Sequence, residues 1–396
     1  MNTILSDRIS DVPKSFIREI LKIAVNEDVI SFAGGLPNRD LFPIEDLKQA
    51  TELVFEKTGS AALQYSNSEG SIELRNFISE RYKQKLDLNV PVENILITSG
   101  SQQGLDLLGK TFLNEGDDII IEEPGYLGAI QAFSVYKTRF NPVKVHDEGM
   151  DIEALQHVFP GRNPKLIYTV PNFQNPSGIS YSEKNREMVA EILKNRNLFL
   201  IEDDPYGDLR YTGQAKSSFK QILPERTIML GSFSKTVVPG FRLGWIVAPD
   251  EIYENLLIAK QASDLHTNQF AQCTLVEYLA MGKFDDHISN IKKVYNLQRK
   301  AMISSIKKHF PKEVHHTTPE GGMFLWVSLP NDISSMKLFN IAIENKVAFV
   351  PGHPFYIGKT ETNTLRLNFS NVDEATIEIG IKRLGETLTS FMNDEK

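Results

Sequence analysis

The run Gly231-Ser-Phe-Ser-Lys-Thr-Val-Val-Pro-Gly-Phe-Arg-Leu-Gly244 sets Lys235 behind Ser232 and Ser234 and a short stretch ahead of Arg242. A lysine that forms a Schiff base with an aldehyde cofactor must present a neutral amine, and partial desolvation lowers its pKa toward that state. The apolar run Thr227-Ile-Met-Leu230 before it and Val237, Val238 and Pro239 after it suit such a setting. Ser232, Ser234 and Arg242 add two hydroxyls and a guanidinium, the groups that hold a phosphate by directed hydrogen bonds and charge. Alone, Ser-x-Ser-Lys reads as an ordinary polar loop. Its company decides.

Thr98-Ser-Gly-Ser-Gln-Gln-Gly-Leu105 follows an apolar run and opens a helix-period segment. Free backbone N–H groups at such a helix start bind anions, so Gly100, Ser101 and Gln102 form a candidate phosphate cradle; the alternative is a plain serine N-cap. The segment has neither the Gly-x-Gly-x-x-Gly of a dinucleotide site nor the Gly-Lys-Ser/Thr of a P-loop, which argues against nucleotide cofactors. Pro171-Asn-Phe-Gln-Asn-Pro-Ser-Gly178 is a turn former that presents the Asn175 amide to a ring hydroxyl or a substrate carboxylate. Glu202-Asp-Asp-Pro-Tyr206 places carboxylates at a strand end, where one can pair with a protonated ring nitrogen. Asp203 is chosen over Asp204 because it stands three residues before Tyr206; a solvated acidic turn is the competing reading.

These segments must be positioned by an α/β fold. Ile95–Thr98, Asp118–Glu122, Leu166–Val170, Leu198–Glu202, Thr227–Leu230 and Gly244–Ala248 read as strands of a mostly parallel sheet, and nearly every motif lies just past the carboxyl end of one. Open α/β sheets bind ligands in that crevice. Helical spacing recurs over 46–58, 71–86, 101–113, 182–195 and 251–263, and 268–310 reads as one or two helices leading to a smaller unit. There, 321–329, 348–351 and 364–369 look like strands and 372–393 like a closing helix. The expected division is an N-terminal arm joining the small domain (1–45), a large cofactor domain (46–285) and a small α+β C-terminal domain (286–396).

Hydrophobic residues make up 41% and charged residues 24% of the 396, a globular balance, and the net charge of −8 without a basic stripe argues against nucleic-acid binding. A single cysteine, Cys273, excludes an internal disulfide and fits a reducing compartment, so the expected location is the cytoplasm. Neither a signal-like start nor a membrane-length apolar run is evident. No metal is called for.

Taken together, the segments resemble the fold-type-I aminotransferases that use pyridoxal 5′-phosphate, and most closely the branch holding the kynurenine/α-aminoadipate aminotransferases and the effector domains of MocR-type regulators. The resemblance spans nearly the whole chain: Ala33-Gly-Gly-Leu-Pro-Asn38, Leu63-Gln-Tyr-Ser66 with Gly70, the Ser-Gly-Ser-Gln-Gln-Gly run, Glu123-Pro-Gly-Tyr126, Asn175-Pro-Ser-Gly178, Asp203-Asp-Pro-Tyr206, Ser232-Phe-Ser-Lys235, Arg242 and Leu365-Arg-Leu-Asn-Phe369. It implies a three-layer α/β architecture with a large, mostly parallel mixed sheet. It makes Lys235 the Schiff-base lysine and proton shuttle, Asp203 the ring-nitrogen partner, Asn175 and Tyr206 donors to the ring hydroxyl oxygen, and Tyr126 the ring that stacks on the cofactor. Gly100, Ser101, Gln102, Ser232, Ser234 and Arg242 would hold the phosphate, with Tyr65 reaching the phosphate of the other subunit in a homodimer. Arg366 would clamp the substrate carboxylate with its planar fork. Gly35, Leu36 and Arg18 match the segment that closes over substrate in the aminoadipate-type branch, Arg18 in a stretch that departs from that branch in detail.

The implied activity is transfer of an amino group between an L-amino acid, aromatic, aminoadipate-like or of broad range, and a 2-oxo acid such as 2-oxoglutarate, with ping-pong kinetics. A lyase or decarboxylase on the same scaffold would share every cofactor contact. A regulator's effector domain would carry a winged helix ahead of Ala33, where only a short segment stands.

Overall fold

This computed structural model describes residues 4, 6–10, 12, 20, 28–330 and 333–394. Its strands, in chain order, are β1 (Ile30–Ser31), β2 (Ile95–Thr98), β3 (Asp118–Glu123), β4 (Arg139–His146), β5 (Gly149–Met150), β6 (Leu166–Thr169), β7 (Phe199–Asp203), β8 (Thr227–Ser232), β9 (Gly244–Val247), β10 (His315–His316), β11 (Phe324–Ser328), β12 (Val347–Ala348), β13 (Val350–Pro351) and β14 (Thr364–Asn368).

Eight of them form one sheet in the order β2-β9-β8-β7-β6-β3-β4-β5. β8, β7, β6, β3 and β4 run parallel, whereas β9 is antiparallel to both neighbours and β5 folds back on β4. The parallel strands are apolar runs because helices cover both faces. Alternation along them sorts side chains to two sides: Ile119, Ile121, Tyr168, Ile201 and Leu230 enter one core, whereas Ile120, Ile167 and Leu200 enter a second and Met229 and Val247 a third.

The registers gather the motifs. Gly244 pairs with Thr98 on one side and Ser232 on the other. A Cβ on Gly244 would come within 2.7 Å of the Ser101 amide nitrogen and of the Gly231 carbonyl. Only glycine lets the two phosphate-binding candidates close up on each other.

β10, β11, β14 and β13 make a separate four-stranded antiparallel sheet, and β1 pairs with β12. The segment after β1 is thereby tied to the C-terminal part of the chain, with the Phe32 N–H donating to Ala348 O at 2.8 Å and its carbonyl accepting from the Asn368 N–H at 2.8 Å. The helices Phe284–His309 and Glu374–Asp394 flank this sheet. The boundary expected at 285/286 falls in the first turn of the former, and 268–310 holds two helices, Gln269–Ala280 and Phe284–His309. β4, which sequence reading passed over, carries Arg139, Asn141, Lys144 and His146 and a proline, and so lacks the continuous apolar signature of its neighbours. Among the described residues no helix is long and apolar enough to cross a membrane.

Candidate active site

Asp203 closes β7 and Lys235 follows the end of β8, so the two project from neighbouring parallel strands at the same edge. Lys235 Nζ donates to the Gly35 carbonyl at 3.0 Å. Burial, then the positive charges of Arg366 and Arg242, lower its pKa to about 8. Asp203 is only 2% exposed. Its Oδ2 accepts from the Tyr168 hydroxyl at 2.7 Å, while its buried Oδ1 has no partner. Burial pushes its pKa up to about 7 against the opposing pull of that hydroxyl. A buried carboxylate oxygen without a partner is costly unless something else pairs with it.

Arg366 lies on β14 of the smaller sheet, yet its guanidinium reaches into the same cleft, 2% exposed. Nη1 donates to Asn175 Oδ1 at 2.8 Å and Nη2 to the Ala33 carbonyl at 2.8 Å, and Nε is left without a partner. The guanidinium sits 4.3 Å from the centre of the Phe324 ring and 5.3 Å from that of Phe355, and burial pulls its pKa down to about 10. The charges of Asp203 and Arg366 both act on Tyr126, whose hydroxyl burial raises to about 12. They act likewise on Tyr206, which is also hydrogen-bonded to Asn175 and whose pKa burial raises strongly.

The candidate anion site lies at a helix start. The helix Ser101–Phe112 begins at Gly100, and no side chain caps it, leaving its first N–H groups unclaimed by a cap. Gly100 has φ of 78°, and a Cβ there would meet Arg242 Nη2 at 2.5 Å. Arg242 Nη1 also donates to Ser234 Oγ at 3.4 Å, while Ser232 Oγ donates to the Leu243 carbonyl at 3.5 Å and accepts from the Ser234 N–H at 3.1 Å. Gln102 Nε2 donates to Gly128 O at 3.0 Å, across to the helix that Tyr126 caps.

Sequence reading missed the side chains that hold these groups in place. Tyr168 fixes Asp203 and lies beneath Tyr126, with ring centres 6.5 Å apart and planes at 24°. Glu122 accepts from the Val170 N–H at 2.9 Å and the Tyr181 hydroxyl at 2.7 Å through Oε1, and from Gln174 Nε2 at 2.9 Å through Oε2. Gln174 also donates to the Pro124 carbonyl at 2.6 Å and accepts from the Ser177 N–H at 2.8 Å. The loop carrying Tyr126 and the loop carrying Asn175 are thus strapped together by one buried carboxyl and one buried amide. A carboxylate inside an otherwise apolar strand was the available signal for Glu122; Tyr168, inside Leu-Ile-Tyr-Thr-Val, offered none.

Gly35 lies at the site, since a Cβ on it would be 3.3 Å from Phe324 Cζ and 3.9 Å from Arg366 Nη2. Leu36 is 52% exposed, and only its carbonyl is engaged, by Ser370 Oγ at 3.2 Å. Tyr65 is 80% exposed, with its ring edge-on to His266 at 5.7 Å. Arg18 lies outside the described residues.

The model of the family described as aminotransferase class I and II matches residues 27–384. The aromatic-amino-acid aminotransferase 1 of Thermococcus litoralis is 41% identical over 98% of this chain and 94% of its own length. The 2-aminoadipate transaminase of Thermus thermophilus is 40% identical over 96% and 95%. In three dimensions the kynurenine aminotransferase of Pyrococcus horikoshii, solved in complex with PMP, superposes with a TM-score of 0.94 at 41% identity, covering 98% of each chain. A lysine, a half-paired carboxylate and a guanidinium in one cleft, on a chain that matches at this length and identity, lead to one assignment: the chain belongs to the class I and II aminotransferases.

Proposed function

We propose that this protein is a pyridoxal 5′-phosphate-dependent aminotransferase that moves an amino group from an L-amino acid to a 2-oxo acid. The observation that carries the reading is the buried Asp203 carboxyl with one oxygen bonded and the other unpaired, in the cleft that Lys235 and Arg366 enter. That free oxygen fits the protonated ring nitrogen of a pyridine, which would keep the carboxyl ionised against its burial. The uncapped helix start at Gly100 with Arg242 beside it suits a phosphate. The roles of the site residues follow from that fit. Gly100, Ser101, Gln102, Ser232, Ser234 and Arg242 hold the phosphate, Asn175 and Tyr206 bond the ring hydroxyl oxygen, and Tyr126 covers the ring face. When bound, the cofactor supplies an aldehyde for the substrate amine and an electron-poor ring that takes up negative charge from Cα.

The chain's own residues do the rest. With a pKa of about 8, Lys235 is neutral in roughly a tenth of molecules at pH 7, and its Nζ takes the proton from the substrate Cα. Arg366 grips the substrate carboxylate and fixes which Cα bond faces the base. Its contact with Ala33 O is a backbone acceptor that a carboxylate can outcompete, since a charge-assisted pair is the stronger. Gly35, Leu36 and Arg18 belong to the segment that covers substrate. The names of the relatives support aromatic or 2-aminoadipate-type amino donors, and the rings of Phe324 and Phe355 around Arg366 suit the former; a 2-oxo acid such as 2-oxoglutarate is the acceptor in this reading.

The chain acts as a homodimer in this reading, with Tyr65 reaching the partner's phosphate. The exposed apolar set Phe55, Leu63 and Tyr65 supports it. The lone half-buried Cys273 supports a cytoplasmic location. The division 1–45, 46–285 and 286–396 is part of the same proposal, supported by the separate eight- and four-stranded sheets and by the pairing of β1 with β12. The test is Lys235→Ala: the visible absorbance of the bound cofactor disappears while the fold, followed by circular dichroism, stays. An unchanged spectrum would remove the basis of the reading.

A further inference from the structure

A second cavity, of about 430 Å³, lies behind the large sheet, on the side away from Tyr168 and Leu230. Met229 and Phe233, which line it, belong to the core on the opposite face. Glu202 and Asp204 line it too, flanking Asp203 as strand alternation requires. Its volume is that of a small-molecule site.

One wall is a chain of rings. Tyr82 meets Trp245 edge-on at 6.4 Å, Trp245 packs on Phe233 at 4.8 Å, Phe233 meets Phe284 at 6.4 Å, and Phe284 meets Phe77 at 5.6 Å. Trp245 is only half-buried although its strand is flanked by β2 and β8. The remaining wall is charged, and most of the charge is matched. Asp208 is held by Arg81 at 2.6 Å, Lys85 pairs with Asp285 at 3.2 Å, and Arg210 pairs with Glu320. Glu202 accepts from Ser218 Oγ at 2.5 Å and lies 3.7 Å from Arg186. Asp204 is bonded by Asn172 and lies in the field of Arg186, and its Oδ1 is buried without a hydrogen-bond partner. Two half-buried cations of the lining, Lys216 and Lys292, have no ion pair or hydrogen bond among the described residues.

A wall of aromatic rings and two unmatched ammonium groups in one lining call for a ligand with a ring and a negative charge. We propose that this cavity binds an aromatic carboxylate, its ring against Trp245 and Phe233 and its carboxylate toward Lys216 and Lys292. The cavity lies on the other face of the sheet from Lys235, with Ser232 at the border of the two sites, and the proposal does not depend on the reaction performed there.

The probe is 3-phenylpropionate, which has a ring and a carboxylate but no amino or oxo group to react. It is titrated into the holoenzyme by calorimetry, and into a Trp326→Phe variant in which Trp245, the other of the chain's two tryptophans, reports the contact by fluorescence. The expected result is a saturable event, beyond any occupancy of the Arg366 cleft, that perturbs Trp245 emission. Exchanging both lysines, Lys216→Met with Lys292→Met, weakens it by about tenfold or more, as loss of a charge-assisted contact should, and leaves the basal activity unchanged. Arg366→Gln leaves the binding intact. In the unmutated protein 3-phenylpropan-1-ol, lacking the charge, binds at least about tenfold more weakly by the same reasoning. No saturable binding, equal affinity for acid and alcohol, indifference to the two lysines, or loss of the event in Arg366→Gln would each overturn the proposal.

Discussion

Replacing Tyr168 by phenylalanine removes a single hydroxyl from the interior and leaves Asp203 with no hydrogen-bond partner on either oxygen. A hydrogen bond to a charged group contributes about 1.5–3 kcal/mol, and about 1.4 kcal/mol is one pKa unit, so the Asp203 carboxyl should rise by about 1 to 2 units. Starting from about 7, it would then titrate near 8 or 9. At pH 7 the ionised fraction falls from about half to between about a tenth and a hundredth, so the affinity of the apoprotein for pyridoxal 5′-phosphate falls by about 5- to 50-fold. The loss should fade as pH rises through 9, where the carboxyl ionises in both proteins.

The same shift has a sign in folding. A carboxyl whose folded pKa is raised contributes its full stability below its unfolded value of 3.8 and loses it as pH climbs through about 7; in Tyr168→Phe that loss runs on to about 8 or 9. The assay is cofactor titration of the apoprotein by calorimetry at pH 7 and pH 9.5. An equal loss at both values, or none at pH 7, would refute the argument that Tyr168 acts through the charge of Asp203.

Two further substitutions test other parts of the site. Glu122→Gln keeps the shape but turns one oxygen into a donor that must face either Gln174 Nε2 or the Val170 and Tyr181 donors. At about 1–3 kcal/mol for an unmade buried bond, the strap between Asn175 and Tyr126 loosens, and KM for the amino donor rises by about five-fold or more; a KM within two-fold of the parent counts against it. Gly100→Ala puts a Cβ 2.5 Å from Arg242 Nη2 on a backbone with φ of 78°. Cofactor affinity should drop by about tenfold or more, given the cost of a positive φ with a side chain, and an unchanged dissociation constant would mean that Arg242 does not need that space.

The polar segments of the site were legible because they sit in short loops after apolar runs, and strand ends in a parallel sheet are where such loops gather. β2, β3, β6, β7, β8 and β9 were each placed within a residue or two, since burial on both faces leaves an uninterrupted apolar signature. β4 was not, because a strand with polar residues at 139, 141, 144 and 146 and Pro142 does not stand out from loop sequence. Arg366 was legible as a residue type in a motif. Its reach from the smaller sheet to Asn175 rests on contacts between residues 191 positions apart, which no local pattern encodes. Tyr168 looks like strand filler in sequence and Glu122 stands out only as a carboxylate in an apolar run, and only the fold shows that one meets Asp203 and the other Gln174. The cavity behind the sheet was equally invisible, since Trp245, Phe284 and Lys216 come from separate elements.

The most direct test of the assigned chemistry is a half-reaction. The holoenzyme is mixed with an aromatic amino acid or 2-aminoadipate and no 2-oxo acid, and its absorption spectrum is followed to completion. Transamination predicts conversion of the bound cofactor to its pyridoxamine form, with one equivalent of 2-oxo acid released per site and reversal on adding 2-oxoglutarate. Continuous release of carbon dioxide or ammonia from the amino acid alone, with the aldehyde form of the cofactor regenerated, would contradict it.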